Sequence, residues 1–259
     1  MDAARRIRPA ALRPGDRVAV VAPSGAVDPE RLASGASLLE ELGFRVSLPE
    51  PTAPWRIFAG RDEQRRAQLL AAFADTDVRA VWCARGGYGV ARVLPEVDAA
   101  WLRRHAKLCI GFSDATALLQ LLVQRAGVAA LHGPMVAMDL LAQRQAGTLD
   151  HLLAILGGAA SWRVPVPRSI VAGTADGPVY GGCLTVLASL AGTPLAPRFA
   201  GGIVLLEDVA EKPLRRIDRM LVQLRQARAL DGVRGILFGT MPDCGPVDDL
   251  CDTIADCLG

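Results

Sequence analysis

The sequence has no uninterrupted apolar run approaching the roughly 20 residues that a membrane span requires, so it offers no candidate transmembrane helix. Its six cysteines (Cys83, Cys109, Cys183, Cys244, Cys251 and Cys257) include no C-x-x-C pair. Only three histidines are present and none stands at ligand spacing from two cysteines, so a metal site is not expected. Three of the cysteines lie in hydrophobic strand-like runs, where a reduced, buried thiol is the ordinary reading. A basic excess is also missing: 29 Lys and Arg face 27 Asp and Glu, a net charge of +2. The pairs Arg103-Arg104 and Arg215-Arg216 read as solvated faces, which argues against a nucleic-acid partner. The first residues run through Arg5-Arg6-Ile7-Arg8-Pro9 with no apolar h-region, so no signal peptide is readable and a cytoplasmic protein is expected. No internal repeat or low-complexity tract stands out.

What is present is a globular composition, 51% hydrophobic and 22% charged over 259 residues, enough for one large domain or two modest ones. Short β-rich runs alternate with helical periodicity. Strands are expected at 17–22, 44–48, 80–84, 108–112 and 129–131, and helices at 30–42, 62–73, 90–94 and 114–125. That alternation predicts an α/β fold built on a doubly wound parallel sheet. Leu152 to Leu156 reads as the end of a helix, and Gly157-Gly158, three prolines and Gly173 make a passage with little periodicity. A second, smaller α/β unit then carries strands at 179–183, 202–206 and 235–239 and helices at 184–190 and 214–228. The expected division is a domain over 1–149, a linker over 150–177 and a domain over 178–259.

Ligands of doubly wound sheets collect at the carboxyl ends of the strands. Ser24, Arg85 to Gly89, Ser113 and His132 all fall just after predicted strands. Ser113 sits between a strand and a helix with Gly111 and Ala115 two residues to either side, the small flanks that a sharp nucleophile-bearing turn demands. The amide of Asp114 would then be available as an oxyanion donor. The alternative is that Ser113 or Asp114 simply caps the helix. In Arg85-Gly86-Gly87-Tyr88-Gly89 the glycines allow close backbone approach to a ligand, and Arg85 could fork a carboxylate. A tight structural turn explains the same residues, and the spacing does not fit a dinucleotide fingerprint. Glu207, with Asp208, closes a hydrophobic strand, either as a solvated end or as a site carboxylate. His132 fits a hydrogen-bonded structural role more readily than a catalytic one.

Six blocks, in order, resemble the LD-carboxypeptidase family, which includes the microcin C7 self-immunity peptidases. They are Leu12 to Ser24, Ala84 to Gly89, Ile110-Gly111-Phe112-Ser113-Asp114, Leu131 to Met135, Gly181-Gly182, and Leu205 to Val209 with Arg216 to Leu221. The resemblance implies a flavodoxin-like N-terminal domain and a smaller C-terminal one, a Ser-Glu-His triad with Ser113 and Glu207, and an oxyanion hole from the Gly86-Gly87 turn and Asp114. It further implies a cofactor-free homodimer that trims the terminal D-alanine from murein tetrapeptide during cell-wall recycling.

Two departures stand out. The family's histidine belongs to a Gly-His motif near the C-terminus, and His105, His132 and His151 do not match it. Cys183 and Leu214 stand where Asn and Tyr are expected. A shortened form of an active enzyme, His132 acting as base, or a wall-peptide binder without activity would each account for the missing motif. Hydrolysis of a microcin-like acyl-adenylate and a nucleotide-dependent reductase are the alternative activities, the latter opposed by the misplaced glycines.

Overall fold

The computed structural model describes residues 6–159, 161 and 163–258. The chain divides into two compact units, residues 1–162 and 163–259. In the first unit β1 (Arg17–Val21), α1 (Pro29–Glu41), β2 (Arg45–Ser47), α2 (Asp62–Ala74) and β3 (Val78–Cys83) follow one another. Next come α3 (Val90–Val93), α4 (Ala99–Arg104), β4 (Leu108–Gly111), α5 (Thr116–Gln120), β5 (Leu131–His132), α6 (Leu140–Gln145) and α7 (Leu149–Leu156). All five strands are parallel in the order β2-β1-β3-β4-β5. The chain reverses its direction of travel across the sheet between β1 and β3, the switch point at which such sheets open a crevice.

Burial on both faces explains why these strands read as continuous apolar runs. Val18 and Val20 of β1, Ala80 and Trp82 of β3 and Ile110 of β4 join Leu38 and Leu39 of α1, Leu140 of α6 and Leu152 and Leu156 of α7 in one core. The alternate residues Val21, Val81, Cys83 and Cys109 are equally buried on the other side of the sheet, where α2 packs on β1 and β3. The expected helix at 114–125 is a composite. A 3-10 turn (Ser113–Ala115) leads into α5 and then a π turn (Leu121–Ala126), which Gly127 ends in the left-handed conformation at φ 69°. Apolar periodicity marks a helical segment but does not distinguish these hydrogen-bonding patterns.

The second unit contains β6 (Val179–Cys183), α8 (Leu184–Leu190), β7 (Ile203–Glu207), α9 (Arg215–Gln226), β8 (Gly235–Phe238) and α10 (Val247–Leu258). Its parallel sheet has the order β6-β7-β8. Val204 and Leu206 of β7 point into a core with Leu187, Leu221, Leu224, Leu250 and Ile254. By the two-residue period of a strand, Ile203, Leu205 and Glu207 face the opposite side. Residues 163–178 contain no helix or strand.

Candidate active site

Ser113 follows β4 with φ 56°, a left-handed backbone that a side chain adopts only at a steric cost. The capping position of the turn it starts is held by Phe112, which makes no side-chain capping bond, so Ser113 does not stand where a helix cap would. The sequence around it fits the turn. A β-carbon at Gly111 would stand 2.9 Å from Cβ of Ala115 and 3.1 Å from Cβ and Sγ of Cys83. Position 111 therefore has room for hydrogen alone, and position 115 for no more than a methyl group. The 14-residue helical run from Ser113 to Ala126 directs its amino end, with its free N–H groups, toward the serine.

Gly86 packs directly on the serine. A β-carbon there would stand 2.8 Å from Ser113 Oγ and 2.9 Å from its Cβ. Gly87 and Gly89 have φ values of 109° and 135°, so the turn after β3 is one that glycine alone adopts freely. Among the described residues, no protein acceptor takes a hydrogen bond from the amide of Gly87 or of Asp114. Met135 lies against the same turn. It is held there because the amides of Val136 and Ala137 donate to the carbonyls of Cys83 and Ala84 at 3.2 and 2.8 Å.

Side chains around the turn fix its shape. The buried Asp114 carboxylate accepts the amide of Val90 at 2.9 Å, so it caps α3 and not its own helix. Burial pushes its pKa up, opposed by the Val90 amide, by the nearby Ser24 hydroxyl and by Arg65. Ser24 is fully buried and its hydroxyl lies outside ordinary hydrogen-bond geometry from any described partner. Arg85 spends Nη1 on the Ala26 carbonyl (2.8 Å) and Nε on that of Gly86 (3.2 Å), which ties the loop after β1 to the glycine turn. The resemblance drew no attention to Arg65, which is 2% exposed and donates to the carbonyls of Pro23, Gly60 and Gly89 and to Asp62. Its signal was a charge on the apolar stripe of α2, with Leu69, Ala72 and Phe73.

His132 ends β5 beside Gly111. Its ring meets Phe112 edge-on at 5.9 Å. Burial lowers its pKa to about 4, so the imidazole is neutral at physiological pH. In the second unit, Glu207 is the last residue of β7, in register with Cys183. Burial, reinforced by the charge of Asp208, raises its pKa to about 7. Asp208 is itself engaged: its carboxylate accepts both the amide and the hydroxyl of Thr185 at 2.8 Å, capping α8. Gly181 is obligatory, because a β-carbon would stand 1.8 Å from the Leu205 carbonyl oxygen. The Cys183 thiol is pushed up to about 12 by burial and by Asp208, so it is no nucleophile. Among the described residues, no three His, Cys, Asp or Glu side chains gather into a metal-binding group.

A serine held at positive φ between a parallel strand and a helix, against a glycine turn with free amides, has the geometry of the elbow that carries nucleophiles in other α/β proteins. Residues 18–133 match the LD-carboxypeptidase N-terminal domain and residues 176–258 match the LD-carboxypeptidase C-terminal domain. A murein tetrapeptide carboxypeptidase of Pseudomonas aeruginosa is 37% identical over 243 residues, covering 88% of this chain and 77% of that protein. The structure of a muramoyltetrapeptide carboxypeptidase from Oxalobacter formigenes matches with a TM-score of 0.79 at 29% identity, over 92% of this chain and 83% of that one. An MccF-like protein from Bacillus anthracis matches with a TM-score of 0.84 at 26% identity, over 96% of this chain and 86% of that one. The chain belongs to the LD-carboxypeptidase family.

Proposed function

We propose that this protein is a serine-type LD-carboxypeptidase that releases the terminal D-alanine of murein tetrapeptide during wall recycling in the cytoplasm. The observation that carries this reading is the Ser113 elbow seated on Gly86. Ser113 Oγ attacks the scissile carbonyl and its proton passes to a general base, the role the family gives to the histidine of a Gly-His motif that His105, His132 and His151 do not match. The oxyanion forms beside the amides of Gly87 and Asp114, which carry no competing protein acceptor. The base returns the proton to the departing amine of D-alanine, leaving an acyl-serine that water hydrolyses to the tripeptide acid. Glu207 takes the carboxylate's role in this assignment, and no step calls for a metal or organic cofactor. Six free cysteines suit a reducing compartment such as the cytoplasm.

Incubation with murein tetrapeptide, followed by detection of free D-alanine, tests the assignment. Release is expected to fall by at least about a thousandfold in Ser113→Ala, and a serine-directed phosphonate is expected to label Ser113. No release, no adduct and no difference between wild type and Ser113→Ala would overturn it. The likeness to an MccF-like protein favours one second reading, hydrolysis of a microcin-like acyl-adenylate. Competition between the two substrates decides which the enzyme prefers.

A further inference from the structure

We propose that the short hairpin at Trp55–Phe58, together with Arg56 and Arg61, is a subsite for a carboxylate on the upstream part of the peptide substrate; this rests on the peptidase reading above. Trp55 and Phe58 exchange both backbone hydrogen bonds, at 3.1 and 3.0 Å, and so close a two-residue turn. The first central position of such a turn requires positive φ and normally carries glycine. Here it carries Arg56, at φ 57°. A side chain kept where glycine would relieve the backbone points to a use for that side chain.

The use is visible in the charges. The Arg56 guanidinium lies 4.8 Å from the centre of the Trp55 ring, and that of Arg61, just before α2, lies 5.5 Å from the same ring. The neighbouring ring, Phe58, also has two arginines over it, Arg65 at 4.8 Å and Arg92 at 5.2 Å. Those two share the carboxylate of Asp62. Among the described residues, Arg56 and Arg61 share none, and both are exposed. Two guanidinium groups beside one indole, neither neutralised by a carboxylate of the chain, are left to take an anion from outside. A guanidinium group suits a carboxylate best.

Position supplies the second argument. The Gly25 amide donates to the Gly86 carbonyl at 3.2 Å and the Ala26 amide to that of Ile57 at 3.0 Å, so the hairpin joins the glycine turn through the loop after β1. Gly86 in turn packs on Ser113, so the hairpin borders the turn that carries the serine. A peptide with its last bond at Ser113 and its chain directed toward the loop after β1 brings its upstream residues to the hairpin. Tyr88, 52% exposed and 5.9 Å from Phe58, lines the way between.

The test measures binding by calorimetry in the Ser113→Ala background. The ligands are a tetrapeptide with a free carboxylate at its second residue and the same peptide with that group amidated. The acid is expected to bind about tenfold tighter than the amide. That preference is expected to fall below about twofold when Arg56→Gly or Arg61→Gln is added. Glycine suits the turn at position 56, and thermal melting verifies that both variants fold. Equal binding of the two peptides, binding of neither, or a preference that survives both substitutions overturns the subsite. D-alanine release by the wild-type chain is read separately. Release without an acid preference removes the subsite and leaves the peptidase standing, whereas absence of both release and adduct removes the peptidase.

Discussion

At position 86 a single methyl group would press on the Ser113 side chain. The backbone of Gly86 lies outside the positive-φ region, so alanine is allowed there except for its approach to Ser113 Oγ at 2.8 Å and Cβ at 2.9 Å. The serine is the softer side of that contact and would be displaced. Gly86→Ala is therefore expected to keep its melting temperature to within a few degrees while kcat/KM falls by about a hundredfold, the cost of a displacement near 1 Å. Tetrapeptide hydrolysis beside thermal unfolding measures both, and a fully active Gly86→Ala would show that this contact does not position the nucleophile. Glu207 makes a second case at this scale. Its folded-state pKa of about 7 lies above the ordinary carboxylate value of 4.5. Ionising it in the folded state therefore opposes stability, not at all below the unfolded value and fully above about pH 7. Glu207→Gln is expected to match wild-type stability near pH 4 and to exceed it at pH 8, with the gap opening between. Denaturant titrations across that range check the sign.

Between elements, side chains do the joining that the sheet leaves undone. Asp114 fastens the elbow after β4 to the start of α3, and Arg65 fastens α2 to the loops after β1 and β3. Asp114→Ala leaves the buried Val90 amide without an acceptor, which costs about 1–3 kcal/mol. Asp114→Asn keeps an acceptor and avoids a buried charge, so it should recover most of that loss. Urea midpoints of the two variants give the comparison, and equal losses would show that the clasp is not what the carboxylate supplies. Most elements were legible in the sequence because parallel strands buried on both faces cannot be anything but apolar. The exceptions have physical causes. At six residues, α4 and α6 are shorter than two turns and show no periodicity. By contrast, α10 does carry a stripe, at Leu250, Ile254 and Cys257, diluted by four aspartates.

For the molecule as a whole, the legible part of the site was the part made of local pattern. Gly111, Ser113, Ala115 and the Gly86-Gly87 pair announce tight turns wherever they occur after strands, and Glu207 is visible as a strand end. Contacts between distant segments were not legible. Nothing near position 65 signals that its guanidinium reaches Pro23 and Gly89, and nothing near position 56 signals an arginine in a glycine conformation. The same holds for Asp114, whose residue type suggests a cap for its own helix while the fold gives it to another. Among the described residues, a core cluster drawn from 12–156 and another drawn from 184–257 share no member. The intervening stretch from 163 to 176 has no helix or strand and contributes to neither core. Residues 163 to 176 are exposed throughout, so a change of length in this stretch disturbs no buried side chain of either unit.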